Sequence, residues 1–330
     1  MYLEEEALFL LPFFWGIRRM KKYFIGLKWL DEITPVLHLR DFETSTDEYV
    51  KMPVVFDLEK KNQKICIGTI NPYTRQYVRC NNPVEDNQKQ CNLCKYMYDF
   101  YKCVKCHGDN CYAKDDDVLK YCNTPHYVYL AYFNGDKIKV GTASEVKKHE
   151  RLLEQGALFS ILIAKTPTGR IARSLEKIII DSGVSGLVTT NYKMRNIAQQ
   201  GNDENTILKK LLDNYREILN SIPSLYHKFL IEPEYNSYAV LEKKIENTMF
   251  SENYQLDLFN SASFNVKPYI IKKKIDNITG KYLFVVGKVL ALENKNAIDL
   301  IDIKQMEGWL FDFKDMSLYD CFDERKDRGK

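Results

Sequence analysis

The sequence predicts an α+β protein. A Cys-rich module leads into a small α/β domain with a three-stranded sheet flanked by helices, followed by a helical segment and a C-terminal antiparallel β region. Three observations point there. Eight of the nine cysteines fall within the 57 residues from Cys66 to Cys122. Residues 123–200 alternate strand-forming apolar runs with stretches of helical period. The last 60 residues return to short runs rich in β-branched and aromatic residues. At 330 residues, 45% apolar and 28% charged, the composition is that of a soluble globular protein of about two domains. A net charge of +3 points to no particular partner.

Residues 1–19 read as an N-terminal extension that precedes the expected domains. Its apolar run, Ala7 to Ile17, is interrupted by Pro12 and is too short to span a bilayer. It follows Glu4-Glu5-Glu6 rather than a basic region, so a secretory leader is not expected, and Met20 is an alternative start. The expected location is cytoplasmic, with no membrane partner.

Residues 20–122 carry the cysteines. Tyr23 to Leu27 and Pro35 to Leu39 read as strands packing against the cysteine module. Cys91-Asn92-Leu93-Cys94 and Cys103-Val104-Lys105-Cys106 are Cys-x-x-Cys pairs. One such pair brings two thiolates to an ion from a single turn, and two pairs complete a tetrahedron. The spacing therefore predicts a structural zinc site at Cys91, Cys94, Cys103 and Cys106. Cys66, Cys80, Cys111 and Cys122 are then left for a second zinc, with His107 and His126 as substitutes. Buried reduced thiols are the alternative for these four. Either site would be closed and structural, so the cofactor expectation is one or two Zn²⁺.

Residues 123–200 form the α/β domain. Tyr127 to Phe133 is a strand, Asn134-Gly135 a hairpin turn, and Lys137 to Gly141 the return strand. Thr142-Ala143-Ser144-Glu145 fits a capping box opening a helix that stops at Gly156. Ala157 to Ala164 reads as a buried strand, and a second helix carries Ile171, Leu175, Ile178 and Ile179 on one stripe. Residues 201–260 read as helical, from Thr206 to Ile222 and from Tyr238 to Asn247. Residues 261–330 hold strands at Lys281 to Leu290, Ala297 to Asp302 and Gly308 to Phe313, then a charged tail from Asp323.

The strand, hairpin, strand, helix order, with Tyr127-Val128-Tyr129 and Lys139-Val140-Gly141 on the two strands, resembles the GIY-YIG nuclease superfamily. Arg151 on the first helix and Glu176 on the second match that superfamily's other functional positions. A closer resemblance covers about residues 60–313. It rests on His126 to Ala131, Lys139 to Thr142, Glu154 to Ala157 and Ala172 to Glu176. Thr190 to Arg195, Gly280 to Leu283 and the upstream Cys-x-x-Cys pairs add to it. These segments are similar to the uncharacterised family catalogued as domain of unknown function 2797, which implies a fold and a superfamily but no activity.

The nuclease resemblance implies Mg²⁺ or Mn²⁺ on Glu176, Arg151 holding a phosphate and Tyr129 positioning the attacking water. Lys139 departs from the pattern by replacing a tyrosine. A lysine is a poor base unless burial or a neighbouring cation lowers its pKa, but it suits a phosphate. Read without the resemblance, Tyr127 and Tyr129 could simply pack, and Arg151 and Glu176 could be solvated or paired with each other. Residues 123–200 hold eleven Lys and Arg against six Asp and Glu. Cations interleaved with aromatic residues make Tyr127, Lys147, Lys148, Arg170, Arg173, Lys193 and Arg195 the expected nucleic-acid contacts. The function expected is therefore a zinc-containing protein binding DNA or RNA through a GIY-YIG-like domain and cutting a phosphodiester with a divalent metal. A catalytically silent binding module and an RNA-modifying enzyme are the alternatives.

Overall fold

The computed structural model describes residues 20–30, 34–103, 105–197, 203–237, 267–313 and 321–322. The extension 1–19, the expected helix at Tyr238 to Asn247 and the tail from Asp323 lie outside the described residues. The chain is α+β and rich in sheet. It opens with strands β1 (Met20–Trp29), β2 (Pro35–Asp41), β3 (Asp47–Lys51) and β4 (Val55–Lys64). The cysteine segment follows, with short strands β5 (Thr69–Ile70) and β6 (Tyr77–Val78) and helices α1 (Asn92–Tyr96), α2 (Phe100–Cys103) and α3 (Asp116–Cys122).

Next come β7 (His126–Tyr132), β8 (Ile138–Ser144), α4 (Lys148–Gln155), β9 (Phe159–Thr166), α5 (Gly169–Asp181) and α6 (Thr190–Asn196). Helices α7 (Glu204–Leu219) and α8 (Ser224–His227) lead to β10 (Leu230–Ser237). The last strands are β11 (Tyr269–Lys272), β12 (Asn277–Val286), β13 (Val289–Glu293), β14 (Ile298–Asp302), β15 (Trp309–Phe313) and β16 (Cys321–Phe322).

A ten-stranded sheet runs in the order β11-β14-β13-β12-β4-β15-β1-β2-β3-β16. The N-terminal strands and the C-terminal β region, read from the sequence as separate parts, thus interleave in one sheet. Burial explains the interleaving. Every residue of β15 is buried, so it cannot lie at an edge, and it inserts between β1 and β4.

The second sheet has the order β10-β9-β7-β8, all antiparallel. The sequence predicts three of its strands. The fourth, β10, falls within the segment read as helical; it covers the otherwise open edge of β9, whose residues are almost all buried. Helix α5 starts at an N-cap, Thr168, which accepts from the Ile171 N–H, and it buries Ala172, Leu175 and Ile179. Thr142, the N-cap of the expected capping box, lies within β8, and Ser144, at the start of the following turn, makes no side-chain cap, so the box does not form. Strand β8 runs to Ser144, and a 3-10 turn separates it from α4. Helix α4 ends at Gly156, at φ 73°, against the Gly287 turn between β12 and β13. A Cβ on Gly287 would lie 2.6 Å from the Gly156 nitrogen, so two glycines let the two sheets meet.

Arg40 on β2 has 0% exposure and ties the cysteine segment to the large sheet. It donates to Asp47 Oδ1 at 2.7 Å, Tyr77 Oη at 2.5 Å and the Cys80 carbonyl at 2.5 Å. Beside it, Lys22 bridges Asp41 at 3.0 Å and Glu48 at 2.9 Å. Against the cost of burial, the His38 ring 3.7 Å away and the hydrogen bond from Arg40 hold the Asp47 carboxyl far below the usual carboxylate range. Bonds from the Thr44 backbone and Lys22 likewise outweigh desolvation at Asp41 and bring it to about 2.

Both carboxyls have a lower pKa folded than unfolded, so their stabilisation is complete above the unfolded value of about 4. It is lost as pH falls from there towards 2. Denaturant unfolding between about pH 5 and pH 2.5 should show falling stability, with a shallower fall in Asp47→Asn.

Candidate functional site

The sulfurs of Cys66, Cys80, Cys91 and Cys94 all lie within 4.8 Å of one another. Cys66 follows β4, Cys80 follows β6, Cys91 sits at the N-cap of α1 and Cys94 lies within that helix. The Cys66 N–H donates to the Asn82 carbonyl at 2.8 Å, which closes a loop that brings Cys66 and Cys80 together. Cys80 and Cys91 sulfurs are 3.8 Å apart. Four sulfurs about 2.3 Å from one Zn²⁺ would form a tetrahedron with edges of about 3.8 Å, whereas a disulfide needs about 2.05 Å. N–H groups already point at the sulfurs. Gly68 donates to Cys66 Sγ at 3.3 Å and Asn82 Nδ2 to Cys91 Sγ at 3.6 Å. Despite desolvation, hydrogen bonds from the Cys94 backbone and the Asn82 side chain bring the Cys91 thiol down to about 6. Donor set and spacing are those of a closed structural zinc site.

This grouping corrects the expected one. Cys91 and Cys94 turn back to Cys66 and Cys80 and are not grouped with Cys103 and Cys106, while Cys111 and Cys122 are not grouped with Cys66 and Cys80. The two Cys-x-x-Cys pairs are close in sequence, but α1 holds the first and α2 leads into the second. The earlier loop reaches Cys91 first through Ile67 N–H to Lys89 O at 3.0 Å and Gln90 Nε2 to Gly68 O at 2.7 Å. His126 is buried in β7 with Nδ1 2.8 Å from the Thr124 carbonyl, and His107 is exposed; neither belongs to the four-sulfur group.

In the α/β unit, Tyr129 on β7 faces Gly141 on β8. A Cβ at Gly141 would lie 2.4 Å from Tyr129 Oη, so the glycine of the second tripeptide makes room for the tyrosine of the first. Tyr129 is 1% exposed and accepts from Gln155 Nε2 at 2.6 Å; Lys139 Nζ donates to Gln155 Oε1. Arg151, Arg173 and Glu176 all act electrostatically on both Tyr129 and Lys139. The four residues expected to be functional therefore converge, and Arg173 joins them. Glu176 Oε2 lies 3.5 Å from both Thr142 Oγ1 and Arg173 Nη1.

Burial, then the Arg151 guanidinium, pushes the Lys139 amine down to about 8. Burial, then Lys139, pushes Lys193 to about 7; its Nζ donates to the Gln155 carbonyl and lies 4.3 Å from the Phe133 ring centre. Burial alone would raise the Tyr129 phenol, and it does so despite Arg151. A half-buried group of cations around one carboxylate is a site matched to an anion.

The other expected contacts have assorted roles. Tyr127 is buried between Lys148 and Lys165, whose amines lie 5.2 and 5.5 Å from its ring centre. Lys147 bridges Glu150 at 3.3 Å and Lys148 bridges Glu234 at 2.9 Å. Arg170 donates to the Gly108 carbonyl at 2.7 Å and to the Asp109 carbonyl, so it holds a loop. Arg195 is exposed on α6. Gln155 was not singled out from the sequence. Its signals are its place within the Glu154 to Ala157 segment of the resemblance and before the left-handed Gly156, where the last helical side chain turns back onto the sheet.

The fold and site define an α+β protein with a four-cysteine, zinc-type centre beside a cation-rich α/β unit. The chain belongs to the family described as protein of unknown function (DUF2797), whose model matches residues 55–311. No curated protein and no solved structure matches the chain.

Two outcomes test this geometry. The double variant Cys80→Ser/Cys91→Ser should bind one zinc ion fewer per chain than the wild type by elemental analysis, with a lowered melting temperature. An NMR titration of ¹³C-methylated lysines should place Lys139 near pH 8. Removing the cation in Arg151→Ala should raise that midpoint, and removing the carboxylate in Glu176→Gln should lower it.

Proposed function

We propose that this is a zinc-containing nucleic-acid-binding protein whose α/β unit has the GIY-YIG-like arrangement, grips a phosphodiester and hydrolyses it. The convergence of Lys139, Arg151, Arg173 and Glu176 beside the buried Tyr129 carries this reading. Arg151 and Arg173 have side chains 48% and 31% exposed, so they can meet a phosphate and remain charged while bound to it. Glu176, 15% exposed, is the carboxylate that could hold Mg²⁺ or Mn²⁺ in a shell completed by phosphate oxygens and water. Such an ion would polarise the phosphoryl oxygen.

The replacement of a tyrosine by Lys139 fits this chemistry. Burial and neighbouring arginines meet the condition a lysine needs to act as a base: near pH 8 a large fraction of it is the neutral amine. Lys139 Nζ would take the proton of the attacking water while the arginines balance charge building on the phosphate. The zinc module beside α4 would extend the grip, since Arg75 lies 3.9 Å from Glu150 on that helix.

One observation favours a second reading, a binding module without cleavage. The Tyr129 hydroxyl is fully buried and already engaged by Gln155, so it does not present itself to a water.

Cleavage assays with Mg²⁺ or Mn²⁺ against DNA and RNA panels test the proposal. Wild type should cleave, Glu176→Ala should not, and Lys139→Met should lose about 10²–10⁴-fold in rate. Because the base must be neutral, kcat/KM should rise with pH through about 8. Equal cleavage by wild type and Glu176→Ala refutes the metal assignment. Binding without cleavage at any pH selects the second reading. In either reading, Arg151→Ala should weaken binding and reduce its salt slope by about one.

A further inference from the structure

Besides Cys321 in the last strand, four cysteines remain outside the zinc-type centre, at Cys103-x2-Cys106-x4-Cys111-x10-Cys122. None of the four is fully buried and Cys111 is exposed, so they are not the small apolar fillers of a core. Their local structure repeats that of the first site. Cys66-Ile67-Gly68 and Cys106-His107-Gly108 both place a glycine at positive φ two residues after the cysteine, 77° and 87°. In both, that glycine N–H donates to the preceding sulfur, at 3.3 Å and 3.4 Å. This turn directs a donor at sulfur and so favours a thiolate. Cys106 N–H donates to the Cys103 carbonyl at 3.2 Å, closing the Cys-x-x-Cys turn. Burial, then the Cys106, Cys122 and Cys111 thiols, push the Cys103 thiol up, so the four lie near one another, in a looser arrangement than the 4.8 Å grouping of the first site.

The loop is also clamped in place. Arg170, in the first turn of α5, donates to the carbonyls of Gly108 and Asp109, and its backbone N–H points at Cys122. A Cβ at Gly108 would meet Ser174 Oγ at 1.9 Å, so the loop lies directly on α5. The Arg173 guanidinium acts on both Cys103 and Cys122. Two arginines suit a group that would carry a net charge of about −2 once four thiolates surround one Zn²⁺.

We propose that Cys103, Cys106, Cys111 and Cys122 form a second tetrathiolate zinc centre, separate from the first and seated on the opening turn of α5. Its ligands follow the first set in the sequence without interleaving. This proposal does not depend on any nuclease activity, since it is read by metal content alone.

Elemental analysis of the full chain should find two zinc ions in the wild type. Cys111→Ser/Cys122→Ser and Cys80→Ser/Cys91→Ser should each retain one. One ion in the wild type, unchanged in Cys111→Ser/Cys122→Ser, overturns the proposal. A second measurement needs no variant. In the zinc-replete wild type, Cys103, Cys106, Cys111 and Cys122 should resist iodoacetamide and react once a chelator is added. Prompt alkylation of the exposed Cys111 before chelation also overturns it.

Discussion

The closeness of four sulfurs, at Cys66, Cys80, Cys91 and Cys94, is the constraint on which the cysteine segment depends. Between Cys66 and Cys122 few apolar side chains are buried, among them Cys66, Cys94 and Val118. Ile70, Tyr73, Leu93, Tyr96, Met97, Phe100, Tyr101 and Tyr112 are all exposed. A segment with so small a core does not recover its chain entropy through hydrophobic burial, and metal coordination is what makes such modules fold. Arg40 then transmits that order to the rest of the molecule. It is fixed by Asp47 and grips the Cys80 carbonyl, so the position of one ligand is locked to strand β2 of the large sheet.

From there the geometry passes to the α/β unit by several routes, two of which set the cation cluster. Asn71 Nδ2 donates to Asp117 on α3 at 2.5 Å, and α3 in turn leads into β7. The other route is the meeting of Gly156 with Gly287, which sets the C-terminal end of α4 against the β12–β13 turn. Helix α4 carries Arg151 and Gln155, so the large sheet fixes one side of the cation cluster. Helix α5 carries Arg173 and Glu176 and fixes the other. The cluster is thus held between elements that are each anchored elsewhere, and this lets Lys139 and Lys193 stay half-buried beside other cations.

How much of this was legible in the sequence follows from how local each feature is. The hairpin read from Tyr127 to Phe133 and Lys137 to Gly141 appears as β7 and β8, shifted by a residue or a few, because Asn134-Gly135 and the period-two pattern are local signals. The convergence of Tyr129, Lys139, Arg151 and Glu176 was reached through the resemblance, and no spacing rule would have found it. The partition of the cysteines was misjudged because a Cys-x-x-Cys pair says where two ligands meet but not which loop supplies the other two. The interleaving of β4, β12 and β15 is invisible locally, since it joins residues roughly 220 to 255 positions apart. Strand β10 was missed because Pro233 and its charged residues weaken the strand pattern; pairing with β9 supplies what propensity does not.

The polar chain Lys139–Gln155–Tyr129 explains why a lysine is compatible with the second tripeptide. A charged ammonium has only donors to offer, so the Gln155 oxygen must face Lys139 and the Gln155 amide must then donate to Tyr129. The Tyr129 hydroxyl accepts that bond, and its own proton is directed elsewhere. A neutral Lys139 carries a lone pair and no longer dictates which end of the amide it meets. With the Lys139 amine pushed down to about 8, its protonated form fixes the hydrogen-bond direction along the chain and its neutral form releases it, including at a buried phenol. Tyrosine in place of Lys139 would lack this property, since a phenol both donates and accepts when neutral. The charge on Lys139 is thus a structural variable of the site as well as an electrostatic one.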